Sequence, residues 1–520
     1  MLRNRSPQVP RGWLHRLPGW LGPDAYSTGW VALVPRPGNP TEPAWPQALD
    51  YLRSQQLPDG GWGEPSIYYA HERTLSTLGA IMALHEWDPS NEDKERIDAG
   101  LAALRRYAGD LAQEPHEPIG FELLVPRLRD WLAPEFGSAL PHEAWAPIDK
   151  LGAEKLAIIQ KMNPDPSVVQ AWWFSMELLP ETQLVSLDDT LLDDNGSIAT
   201  STAATAAYLR ARRRAGFDSP RAAEYLEQLV DRGQGGVPVG WPFEVYERIW
   251  ALDSFMRAKL DPASPEIAKI AETLPASWDL NEPGFSYSDA FPINDGDDTL
   301  VGFAILNWAG FDVRSEPVLE FWDTDHFRTY LDERGASVSV NIHALAALRS
   351  QPGFPHEDLA LTVTEWLKER RRPDTLFADK WHLSPCYLVA HAIPAFAGWE
   401  DAIARECIDF LLDHQRADGG WGWFEHSTLE ETSHSVLGLS FALEQGLLEN
   451  DAPLRRAARF FAANAGQKPT ERLWIGKTLY CPEGIVEATL VAAKASLERL
   501  GVWRKPQSEE PDLSRLRVYP

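Results

Sequence analysis

Two copies of one short pattern lie far apart in this chain and limit what it can fold into. QQLPDGGWG (55–63) and HQRADGGWG (414–422) share a glutamine and then Asp-Gly-Gly-Trp-Gly, each after a helical segment. Glycine takes backbone dihedrals that other residues avoid. Each copy is therefore expected to turn the chain tightly and stack its tryptophan on the preceding helix. Such a separation points to two helical units of like design rather than a solenoid with a short regular period.

The rest of the chain agrees with helices. TLSTLGAIMALHEW (74–87), STAATAAYLRARRRAG (201–216), IWALDSFMRAKL (249–260) and SHSVLGLSFALEQG (433–446) carry apolar residues at three- and four-residue spacing. Many such segments begin after Ser, Thr, Asp or Pro and end near Gly. Val- and Thr-rich alternation is scarce. ASVSVNI (336–342) is the best strand candidate, and it soon gives way to helical spacing. An all-α protein with some irregular connections is expected. At 520 residues the chain has room for about two to four domains. Breaks fall at the Pro-rich PRPGNPTEPAWPQ (35–47) and at GQGGVPVGWP (233–242). The polar, Pro-rich RKPQSEEPDLSRLRVYP at the C-terminus reads as a tail, with Val518 and Tyr519 as its docking points.

Charge and cysteine usage exclude several classes. A formal net charge of −27 without a basic stripe argues against nucleic acid, though not against an anionic ligand met by a few local cations. Cys386, Cys407 and Cys481 are isolated, which argues against a disulfide framework or a cysteine-rich zinc site and fits a reducing compartment. The basic start lacks the apolar run of a secretory signal, and no stretch reaches the ~18 apolar residues of a spanning helix. A cytoplasmic protein, not integral to a membrane, is expected. The 22 tryptophans cluster near Gly and Pro at helix boundaries, where they can stack on helix ends or line a cavity that suits a cationic guest.

The chemistry concentrates in FPINDGDDTL (291–300), where Asp295, Asp297 and Asp298 open an apolar segment. One carboxylate can cap a helix through TLVGFAILNWAG, and a second can use its dipole; three exceed that need. Positions 295 and 297 can face one site while Asp298 opens the helix. Like charges in proximity raise one pKa and leave a neutral acid beside an ionised partner. In an apolar pocket such a donor can attack a base as weak as an alkene. A second acidic run, SLDDTLLDDNGS (186–197), holds Asp188, Asp189, Asp193 and Asp194 and offers oxygen ligands to magnesium. The Asn195-Gly196 that follows makes a solvated turn the plainer reading. Metalloprotease, dinucleotide and P-loop signatures and a serine nucleophile elbow are all missing.

Together these segments resemble the class II terpene cyclases, in particular the diterpene cyclases that make copalyl-type diphosphates. NDGDDT matches their Asp-x-Asp-Asp motif, and DAYSTGWVALVP (24–35) resembles their N-terminal landmark. EPIGFELLVPRL (117–128), DNGSIATSTAATAAYL (194–209), GGVPVGWPFEVYERIWALDSFMR (235–257) and LWIGKTLYCP (473–482) follow in the family's order over most of the chain. The resemblance implies two α/α barrels with an active site between them. Residues 1–45 and 244–505 would form one barrel, called β, and 46–243 the inserted one, called γ; 506–520 would be the tail. Squalene-type cyclases carry more copies of the Gly-Gly-Trp motif, and a prenyltransferase-like barrel would want an Asp-Cys-His zinc set. A helical scaffold without catalysis would leave the acidic trio unexplained.

The implied reaction protonates the terminal alkene of an open-chain prenyl diphosphate, here geranylgeranyl diphosphate, with farnesyl diphosphate to a drimenyl-type product as the alternative. Asp297 would be the general acid, with Asp295 and Asp298 holding and tuning it. No class I metal motif is found, so the diphosphate should be retained, and a downstream class I terpene synthase or phosphatase would consume the product. For the diphosphate the family uses a basic residue and Mg²⁺. Lys155 in GAEKLAIIQK matches the basic position, Lys161 and Lys477 are further candidates, and Glu114 and Glu117 in QEPHEPIG are the expected metal contacts. These glutamates depart from the family's acidic motif. The His and Asn that act as base in plant gibberellin-type cyclases align with the apolar Phe174 and Val239, which points away from an ent-copalyl product.

Overall fold

The computed structural model describes residues 9, 12–114, 118–162, 170–278, 284–331, 333, 335–351 and 355–503. Its helices form two rings, each with an inner layer and an outer layer. The inner helices of the first ring are α1 (Ala25–Ala32), α2 (Ala70–Glu86), α3 (Phe121–Phe136) and α4 (Thr202–Arg214). A 3₁₀ segment, Ala171–Leu178, fills the gap between α3 and α4, and α1 closes the circle by packing on both α2 and α4. The second ring runs through α5 (Glu244–Arg257), α6 (Gly296–Trp308), α7 (Val338–Ser350), α8 (Pro385–Phe396), α9 (Leu429–Glu444) and α10 (Glu483–Arg499), with α10 returning to α5. Helix α1 lies within the segment 1–45 expected to accompany residues 244–505, yet it packs into the first ring. The short helix Trp13–Arg16 does pack on the second.

Sequence pattern separates the layers. The outer helix Pro220–Arg232 buries Ala222, Tyr225, Leu226, Leu229 and Val230, one stripe at helical spacing, and leaves the opposite side to charged residues. Inner helices have neighbours on every side, so α6 buries every residue from Gly296 to Leu306 except Asp297. Strands are confined to three short hairpins among the described residues. ASVSVNI forms none of them. Ser337 caps α7 by accepting from the Val340 amide, and the buried Asp379 carboxylate accepts from the Val338 and Ser339 amides at 2.8 and 3.1 Å. Five α7-start donors then have acceptors, which outweighs the β preference of Val and Ile.

The two repeated motifs are built alike. Trp62 and Trp421 are fully buried, and each indole N–H donates back to the preceding helix, to the Leu52 and Leu411 carbonyls, both at 2.7 Å. Their backbone amides donate to hydroxyls on the following inner helix, Trp62 to Thr77 at 3.0 Å and Trp421 to Thr432 at 2.9 Å. Gln56 and Gln415 tie the turn to the next outer helix through the Arg96 and Pro453 carbonyls. Gly60 and Gly419 sit at φ 92° and 93°, in the region that favours glycine.

The hairpin Trp474–Ile475/Leu479–Tyr480 reaches from the second ring into the first. At its turn, the Gly476 carbonyl accepts from the Ile119 amide at 2.9 Å. No described helix is long and apolar enough to cross a membrane.

Candidate active site

Asp295 ends an extended segment and caps α6, its Oδ1 accepting from the Asp298 amide at 2.8 Å. The helix therefore opens at Asp295, three residues earlier than the Asp298 start expected from sequence. The glycine between the acids has a steric cause. A Cβ at position 296 would sit 2.1 Å from the Arg328 carbonyl, because residues 327–329 cross directly over the helix start. The same crossing lets the Thr329 carbonyl accept from the Gly296 amide at 2.7 Å.

The three carboxylates are not equivalent. Asp295 and Asp298 are buried, whereas Asp297 keeps 15% of its side chain open. Burial, reinforced by the Asp298 charge, holds the Asp295 carboxyl well above the usual carboxylate range. Burial and the Asp297 charge push Asp298 up to about 7, against the opposing pull of the Trp250 indole N–H, which donates to Asp298 Oδ1 at 3.0 Å. Asp297 thus stands at the opening of a site whose other two acids resist ionisation.

Three histidines back Asp297, and nothing in the sequence reading singled them out. His343 Nδ1 lies 2.7 Å from Asp297 Oδ1, His343 Nε2 lies 3.0 Å from His391 Nδ1, and His391 Nε2 lies 3.3 Å from His434 Nδ1. All three are buried. Trp250, Tyr387 and Trp474 pack around this row, with Trp250 4.9 Å from His343 and Tyr387 4.3 Å from His391. Their rings wall the histidine row behind the acid without offering a strong nucleophile, an environment suited to a carbocation.

The remaining candidates fall at or near the seam between the rings. Phe174 meets Phe243 and Tyr287 edge-on at 6.4 and 6.5 Å, and Val239 is buried with its carbonyl accepting from the Thr202 amide. Lys477, expected on the diphosphate, is fully buried. It donates to Glu177 at 2.7 Å and to the Ser201 hydroxyl at 2.9 Å, with its ammonium 4.5 Å from the Phe174 ring centre. This lysine joins the rings. Lys155 is half-exposed and paired with the buried Glu122; Lys161 is exposed. Neither is drawn towards the carboxylate trio.

The resemblance implies magnesium at Glu114 and Glu117. Both oxygens of Glu114 are engaged at the start of α2, by the Ala70 and His71 amides and the His71 ring. Glu117 lies outside the described residues. Among the described residues no three His, Cys, Asp or Glu are grouped to hold a metal. The second acidic run is a turn: Asp188 caps Thr190, Asp189 accepts from the Tyr208 hydroxyl, and Asp193 accepts from Ser197 and Thr200.

A cavity of about 150 Å³ opens between the rings, lined by Tyr68, Tyr69 and Glu114 on one side and Asp379, His382 and Trp423 on the other. None of the three acids lines it. They connect to it indirectly, since His382 stacks on Tyr387 at 4.3 Å. The chemistry sits with the acids, where a proton donor and an aromatic wall coincide.

A type B diterpene cyclase from Mycobacterium tuberculosis is 31% identical over 484 residues, covering 90% of this chain and 94% of the relative. The chain belongs to the class II diterpene cyclases. No family model matches it. A terpentedienyl-diphosphate synthase from Kitasatospora griseola is 28% identical, covering 92% of the cyclase and 98% of the relative. Among solved structures, the ent-copalyl diphosphate synthase from Streptomyces platensis superposes with a TM-score of 0.75 at 26% identity, over 93% and 97% of the two chains. The ent-copalyl diphosphate synthase from Arabidopsis thaliana, at 23% identity and a TM-score of 0.65, shares the fold over 92% of the cyclase and 61% of its own length. The cyclase is accordingly an enzyme with class II diterpene cyclase activity on a prenyl diphosphate.

Proposed function

We propose that the cyclase converts geranylgeranyl diphosphate to a bicyclic labdane-type diphosphate, copalyl-type or rearranged, with the diphosphate retained. The observation that carries this reading is Asp297, the one acid of the trio open to the site, held between two buried carboxyls and backed by His343. An alkene is a very weak base, so the donor must be a neutral acid whose conjugate base is stabilised once the proton leaves. Burial disfavours ionisation of Asp295 and Asp298, which keeps like charge away from the carboxylate that forms at position 297. The cation then closes rings along a chain held against Trp250, Tyr387 and Trp474.

Names of the relatives favour the C20 substrate, and the apolar Phe174 and Val239 favour a product outside the ent-copalyl series. A class I terpene synthase or a phosphatase would act on the product. The deciding experiment incubates purified protein with C20 and, separately, C15 prenyl diphosphate, with and without magnesium. Products are dephosphorylated and identified by mass spectrometry and NMR. A bicyclic C20 alcohol is expected. A higher kcat/KM for farnesyl diphosphate with a drimane product would reassign the enzyme to C15 chemistry, and ent-copalol would overturn the stereochemical reading.

A further inference from the structure

Behind Asp297 the four groups Asp297, His343, His391 and His434 form one unbranched row of hydrogen bonds. His343 and His391 each use one ring nitrogen on either side, and the far end, His434 Nε2, is buried with no partner among the described residues. A neutral imidazole has one donor nitrogen and one acceptor nitrogen, so a row of them runs in one of two directions. Running towards the acid, every histidine carries hydrogen on Nδ1: His434 donates to His391, His391 to His343, and His343 to Asp297 Oδ1. Running away, every histidine carries it on Nε2, and Asp297 must donate its own proton to His343.

The two directions have opposite chemical consequences. In the first, Oδ1 of Asp297 accepts, the acidic proton resides on the other oxygen, and the carboxylate left after transfer already has a donor in place. In the second, the acidic proton is spent on His343. The second also leaves a buried N–H without an acceptor at His434, and orphaned buried donors are the rarer and costlier fault. Burial, reinforced by the Arg257 charge at His391 and by His382 and then Arg257 at His434, holds both histidines well below the ordinary imidazole range, so both are neutral and the tautomer argument applies. Arg257 is itself paired with Asp253 at 2.6 Å.

We infer that His391 and His434 are positioning residues: they fix His343 as an Nδ1–H donor and so keep the Asp297 proton free for the substrate. The inference rests on the reading of Asp297 as general acid. Two readouts separate the two claims. First, ¹⁵N spectra of histidine-labelled wild-type protein should show His343 protonated on Nδ1 and unprotonated on Nε2, a result independent of activity. Finding His343 protonated on Nε2 would overturn the inference. Second, His391→Asn places an amide N–H where Nδ1 stands and preserves the direction, whereas His391→Asp offers only an acceptor and reverses it. His391→Asn should keep kcat within about fivefold of wild type; His391→Asp should lower kcat by about 100-fold at nearly unchanged KM. Equal kcat in the two variants would refute the proposal, and if His391→Asp fails to fold, the wild-type spectrum decides alone. Absence of cyclised product from wild-type protein would instead refute the function, leaving the tautomer result standing.

Discussion

Asp297 differs from its neighbours by its partial exposure, and that difference assigns the roles. Asp297→Asn retains an acceptor for His343 but has no acidic proton. Cyclisation should fall about 10²–10⁴-fold, with thermal stability close to wild type, as read by product formation and scanning fluorimetry. Asp298 sets the pH dependence. Its carboxyl, raised to about 7, is neutral below that pH and charged above it. A carboxylate at 298 opposes formation of a second one at 297, so kcat/KM should decline as pH rises through about 7. Because Asp295 and Asp298 interact, the limb belongs to the pair. Asp298→Asn should remove or displace that limb; an unchanged profile would exclude the pair as its source.

At the scale of elements, helix starts do much of the positioning. Asp295 is both cap and member of the trio, and the two roles separate chemically. Asp295→Ala should cost about 1 kcal/mol of stability through the lost cap, whereas Asp295→Asn keeps a capping oxygen and should leave the unfolding midpoint almost unmoved while activity drops. The tryptophan turns act between helices. Trp421→Phe keeps most of the apolar volume but leaves the Leu411 carbonyl without its donor, and should cost about 1–3 kcal/mol in denaturant titration. The motif announced a turn and a stacked ring; its link to the following helix through Thr432 was not legible, because that contact is made eleven residues on and needs the folded inner layer. ASVSVNI shows the same limit. Its alternation was real, and Asp379, 40 residues away, overrode it.

Across the whole molecule the rings meet through buried charge. Lys477 and Glu177 are 300 residues apart and fully enclosed, with Tyr26 also donating to Glu177 at 2.9 Å. Lys477→Met should leave Glu177 buried without its cation and cost about 3–5 kcal/mol, and adding Glu177→Leu should restore much of it. A double-mutant cycle on unfolding midpoints measures the coupling; additive losses would show that the pair does not lock the seam.

By itself the sequence determined the all-helical class, the recurrence of one turn design, and the acid trio, because local spacing and side-chain chemistry carry those signals over short distances. It also held the histidine row in latent form. Asp297, His343, His391 and His434 follow at intervals of 46, 48 and 43 residues, one helix pair per step, so each falls on a successive inner helix of the second ring. Only the tertiary structure decided that these helices stand side by side at matching height, that Glu114 caps α2, and that Lys477 is sealed between the rings. Burial and long-range pairing depend on which surfaces close on one another, and no short stretch of sequence encodes that.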